Sequence, residues 1–158
     1  MKALRSTGIV LARFFLSAVF ITAAVEQIFH WHETELSLMT ALAEWQAHTS
    51  SWARVQEVVA FLMPWTPVLL LAAVLFQLIG GLLVLLGVKE KLGGGLLVLF
   101  LIPTTVVFHA FWFLDGPDRD MQQIMFLKNL SILGGLFLLM IHGATTDKGN
   151  DAVDNFKF

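Results

Sequence analysis

The chain has 158 residues, 57% hydrophobic and 14% charged, with mean hydropathy +0.76. Ordinary soluble domains run at roughly 45–50% apolar and about 25% charged, so this composition predicts an integral membrane protein. A formal charge of -2 and a pI near 6.2 argue against a nucleic-acid partner, and the lack of cysteine excludes disulfides, thiol relays, iron–sulfur clusters and thiolate zinc sites.

Four stretches reach the roughly 20 apolar residues that a bilayer span needs, at about 9–29, 68–88, 93–114 and 124–141. The fold class expected is all-α, a four-helix integral membrane bundle forming a single domain over 1–158. Lys2 and Arg5 ahead of the first apolar run resemble a secretory leader, but the run continues to Phe29 without an Ala-x-Ala step, so a retained first span is expected. That span places Arg13, Ser17, Ala24 and Gln27 on one stripe, with Glu26 beside it.

The following "FHWHE" offers His30, His32 and Glu33, with His48 further on. On a continuing helix His30 and His32 point about 200° apart, so they do not converge on one ion, and no metal site is expected. Residues 33–63 carry apolar positions at helical spacing, which predicts short amphipathic helices lying against the bundle in the long first extracytoplasmic connection. The second span holds Gln77, and the turn "GVKEKLGGG" makes spans two and three antiparallel neighbours. The third ends in His109, Phe111 and Trp112, "DGPDRD" is a breaker, and the fourth contains "FLKNLSILGG", with Lys128 and Asn129. Trp31, Trp65 and Trp112 stand at one set of span ends, as headgroup-level rings do.

Lys2, Arg5, Lys89, Lys91, Lys148 and Lys157 fall on one side of this topology, and most acids on the other, which predicts cytoplasmic N and C termini. At 1.5 Å per residue, Glu26 lies within about one turn of the outer boundary, His109 about 7 Å below it and Lys128 about 6 Å below it. Three helices thus deliver three ionisable groups to one layer. Intramembrane ionisable residues are functional candidates by default, so Glu26, His109 and Lys128 form the candidate catalytic or structural network. Gln27, Gln77, Phe111, Trp112 and Asn129 join His109 and Lys128 as candidate ligand contacts. Lys128 also has a plainer reading, snorkelling to the headgroups.

These motifs resemble the DoxX family: "VFITAAVEQI", "FQLIGGLLVLLG", "LIPTTVVFHAFW" and "QQIMFLKNLSILGGLFLL" in order along nearly the whole chain. Matching positions are Arg13, Gly80, Gly81, Gly87, His109, Phe111, Trp112, Lys128, Asn129, Gly134 and Gly135, while Ala24, Gln27 and Gln77 depart from the pattern. The resemblance implies a multi-pass protein of the bacterial inner membrane, in a family that includes subunits of quinone-linked oxidoreductases and members linked to oxidative stress. The function expected on that basis is a redox-complex subunit whose outer-leaflet pocket takes a quinone-like molecule, although no cofactor is evident in the sequence. The rival readings are a non-enzymatic scaffold with a structural Glu/His/Lys network, and a small-solute transporter using Gln27 and Gln77. Expected partners are the lipid bilayer and a membrane or periplasmic subunit or second copy.

Overall fold

The computed structural model describes residues 2–143, with side chains from Thr7 onward. Lys148 and Lys157, and the side chains of Lys2 and Arg5, on which the expected orientation partly rests, lie outside the described residues. Among the described residues the structure is all-helical, with no strand. Helix α1 covers Lys2–Phe29, α2 Trp31–His48, α3 Ala53–Leu62, α4 Thr66–Leu86, α5 Glu90–Phe108 and α6 Gly116–His142, with 3-10 turns at Met63–Trp65 and Phe111–Phe113. Four of the segments are long and apolar enough to cross a membrane. Rings and aliphatic chains such as Phe14, Phe15, Leu138 and Ile141 face outward, the surface a lipid bilayer covers.

The α4–α5 turn is built by backbone geometry. Gly87 takes φ +68, its N–H bonds Val84 O, and the N–H of Val88 bonds Leu83 O, which closes the end of α4 in a Schellman arrangement. Lys89 is also left-handed, at φ 48, and α5 starts directly after it with an acid, Glu90, at its positive end. The turn therefore marks one end of the molecule, the turn end, and α2 with α3 marks the other.

Small residues decide how closely the helices approach. A Cβ on Gly80 would stand 2.9 Å from Gly93 O, and one on Gly93 would stand 2.9 Å from Gly80 O, so α4 and α5 meet backbone to backbone. Gly81 lies against Ile21 of α1, and Gly94 against Met140 of α6. The helices thus pack in the sequence α1, α4, α5, α6. Between them Phe20, Val84, Leu97, Val98, Leu101, Leu133 and Leu136 form the main core, and Ala24, Leu70 and Val74 a second cluster under Trp31.

Near α2, two α-helix limits differ from those of the apolar runs. The third span stops being α-helical at Phe108, because His109 adopts φ -119, ψ 44 as the helix cap. The three rings that follow then reach different neighbours: Phe111 meets Phe126 at 5.4 Å, and Phe113 meets Trp45 at 5.0 Å and stacks on His48 at 4.9 Å. The fourth helix starts at Gly116, well before residue 124, since Pro117 occupies its first turn, where a missing N–H costs no hydrogen bond. The "DGPDRD" breaker is thus the helix start itself.

Candidate functional site

Helix α2 is held over the bundle by two kinds of contact. Trp45 Nε1 donates to Val107 O at 3.2 Å, and its ring meets Trp112 edge-on at 6.0 Å. Helix α3 is tied back to α2 by Gln56, whose Nε2 donates to Gln46 O at 2.7 Å and to Thr49 Oγ1 at 3.2 Å. The lid formed this way does not fill the space beneath it. Where α4 and α5 run past their glycine contact toward α2, a cavity of about 330 Å³ remains.

The wall comes from Leu69, Leu70, Ala72, Ala73 and Phe76 of α4 and from Leu99, Phe100, Pro103, Thr104, Val107 and Phe108 of α5. Thr34, Leu38 and Leu42 of α2 and Leu62 of α3 roof it, and Gln27 of α1 closes one side. Of these sixteen residues only Gln27, Thr34 and Thr104 are polar, and none is charged. Leu99 is 61% exposed at the rim, so this side of the cavity borders the lipid-facing surface. A concave, largely apolar space with a few polar groups is what small-molecule sites share.

The polar residues expected at the site take distinct places. Gln27 and Gln77 are brought together: Gln77 Nε2 donates to Gln27 Oε1 at 2.7 Å and to Ala73 O at 3.3 Å, with Gln77 wholly buried. Glu26, His109 and Lys128 do not form a network, and no ion pair or hydrogen bond joins any two of them. Glu26 is 76% exposed, 3.5 Å from His30 Nδ1. His109 Nδ1 pairs with Gln122 Oε1 at 2.7 Å. Lys128 lies on the exposed face of α6, its Nζ 3.2 Å from Met125 Sδ. Its neighbour Asn129 points inward and donates to Thr105 Oγ1 at 3.1 Å. Shared depth did not bring shared contact because depth fixes only one of a side chain's two coordinates on a helix; the other is its azimuth.

Phe111 and Trp112 belong to the aromatic cluster that seats α2 on α5 and α6, together with Trp45, Phe113 and Phe126. Gln77, Asn129, Phe111, Trp112, His109 and Lys128 are not among the residues lining the cavity; of the expected ligand contacts, Gln27 is. Gly134 and Gly135 lie in open space, with nothing within 4 Å of a Cβ at either, and the close packing of α6 runs through Gly94 of α5.

An ion pair among the described residues joins Arg13 of α1 to Glu90 at the start of α5, at the turn end. Glu90 is 3% exposed, and Gly87 and Gly143 both crowd it or its partner: a Cβ on Gly87 would strike Arg13 Nη1, and one on Gly143 would come 2.9 Å from Glu90 Cβ. Glu90 is absent from the sequence-based candidates because it stands between Lys89 and Lys91 in a turn that reads as solvated. The signal that points to it is Arg13, a cation about one turn inside span one on the same side of the membrane. Among the described residues no group of His, Asp and Glu converges to hold a metal ion.

The chain matches the SURF4 family over residues 57–157. It is similar to the ER-derived vesicles protein ERV29 of Saccharomyces cerevisiae, 34% identical over 71 residues, which is 45% of this chain and 23% of ERV29. It is also similar to the inner membrane protein YqjF of Escherichia coli, 28% identical over 143 residues, 90% of this chain and 89% of YqjF. The chain thus spans under a quarter of the first relative and nearly all of the second. No solved structure matches it. Four apolar spans and the likeness to YqjF agree on a multi-pass inner-membrane protein. The DoxX resemblance is overturned by the family match, and the redox-subunit, quinone and oxidative-stress functions inferred from it are withdrawn with it, as is the Glu/His/Lys scaffold network that the geometry lacks. Because the match covers more than half of the sequence, the chain belongs to the SURF4 family.

Proposed function

We propose that this protein binds lipid within the membrane, holding an apolar chain in the cavity between α4 and α5 under the α2 lid. The observation that carries this reading is the cavity's lining, thirteen apolar residues of sixteen, at the level of the apolar spans. An apolar chain entering it trades bilayer contacts for protein contacts, so occupancy depends on fit and on the few polar groups, not on the hydrophobic effect alone. The relatives' names, one from ER-derived vesicles and one from the inner membrane, agree in placing family members in membranes. The termini lie in the cytoplasm on this reading, supported by Lys89 and Lys91 at the turn end against Glu33, Glu35, Glu44, Glu57, Asp115, Asp118 and Asp120 at the other, and the cavity then opens in the outer half of the bilayer.

A lipid carrying a photoreactive diazirine along its chain tests the proposal in purified membranes. Labelling should concentrate on peptides containing residues 69–76 and 99–108, and excess unlabelled lipid should suppress it. Uniform labelling of all exposed helix faces, unaffected by competitor, would contradict a specific site.

A further inference from the structure

The few polar groups in the cavity specify more than a hydrocarbon. Both N–H groups of Gln77 are engaged, one by Gln27 Oε1 and one by Ala73 O, and the Ala73 carbonyl fixes which way the Gln77 amide is turned. Gln77 Oε1 is left buried without a partner, so Gln77 acts as a brace held in place from α4. The brace occupies Gln27 Oε1 and thereby orients Gln27, whose Nε2 makes no hydrogen bond within the protein while its side chain lines the cavity. Gln27 therefore presents N–H donors.

The remaining polar groups present acceptors. Thr34 spends its hydroxyl proton on His30 O at 2.9 Å and Thr104 on Phe100 O at 2.8 Å, which leaves both oxygens with free lone pairs. In the same wall Pro103 supplies no N–H to the Leu99 carbonyl one turn before it. With donors from α1, acceptors from α2 and α5 and no charged side chain in the lining, the complement is a neutral group that both accepts and donates. A hydroxyl does so; an ether or ester oxygen only accepts, and a carboxylate brings a charge with no counter-ion.

We propose that the cavity selects neutral, hydroxyl-bearing lipids, the hydroxyl oxygen accepting from Gln27 Nε2 and its proton going to a threonine or Leu99 oxygen. The inference rests on the lipid-binding reading above and names the head group for the same site. It is tested by competition against tritiated dodecanol, using the full chain in nanodiscs of saturated phosphatidylcholine, with dodecyl methyl ether, dodecane and dodecanoate as competitors. Dodecanol should compete about tenfold better than its methyl ether, the worth of a hydrogen bond made out of water, and better than dodecanoate. Gln27→Leu should bring the ether down to dodecane and weaken the alcohol by a similar factor, because both oxygens accept from Gln27 Nε2. Thr104→Val, which keeps the side-chain shape, should lower the alcohol-to-ether ratio without loss of thermal stability, so a misfolded Gln27 variant does not block the test. Equal competition by alcohol, ether and alkane would overturn the hydroxyl preference and leave the cavity reading standing. Strongest competition by dodecanoate would overturn it too. No saturable binding of any of the four would overturn the lipid-binding reading itself.

Discussion

At the scale of single residues, the buried ion pair and the exposed lysine make opposite predictions. Glu90 is almost wholly buried beside Arg13, so removing the guanidinium takes away the charge that faces its carboxylate in a low-dielectric setting. Arg13→Met should lower stability by about 3–5 kcal/mol, whereas Arg13→Met combined with Glu90→Leu should recover much of that loss. Reversible unfolding in mixed micelles reads both, and identical losses for the single and double variants would show that the pair is not coupled. Lys128, on the lipid-facing side of α6, should tolerate replacement by Met within about 0.5 kcal/mol. These two cases also show what is legible in the sequence. Lys128 stands out as an ammonium among apolar residues, yet its neighbour Asn129 is the one turned inward, 100° around the helix. Leu133 and Leu136, four and seven positions after Asn129, complete the buried stripe, and that spacing can be read from the residues alone. Glu90 escapes such a reading because an acid between two lysines looks solvent-exposed.

At the scale of helices, similar glycine pairs do different work. Gly80 and Gly93 face one another across α4 and α5, so Gly93→Val should overpack that seam and destabilise by about 1–3 kcal/mol. Gly134, with open space around it, should accept alanine and gain about 0.8–1 kcal/mol of helix propensity. Thermal melts of the two variants should move in opposite directions; a fall for both would mean that the face of α6 is packed against something. Hydropathy locates all four spans and the tight turn, since apolar length and turn chemistry are properties of local sequence. It does not show that the α-helix of the third span stops at Phe108, and it begins the fourth late, because aromatic rings and a Gly-Pro helix start depend on contacts and caps that hydropathy does not weigh. The apolar run itself does not say which glycine meets a neighbour.

At the scale of the whole molecule, the α4–α5 hairpin is pinned at one end by its glycines and left unfilled at the other, where α2 spans the gap. The membrane class and the Gln27–Gln77 pairing are within reach of the sequence, since both amides lie on small-residue stripes of their helices. The cavity is not, because it arises from a lid whose position depends on a single indole bond and an aromatic cluster. Orientation has its own measurement: a cysteine at Lys89 should react only from the cytoplasmic side and one at Ser51 only from the other, and the reverse pattern would invert the topology. The central claim, that the cavity holds lipid, is tested most directly by native mass spectrometry of the purified protein and of Ala73→Phe, which fills the space from α4. The wild type should retain a lipid adduct through delipidation and the variant should lose it while keeping its helical circular dichroism; equal adducts on both would contradict the account.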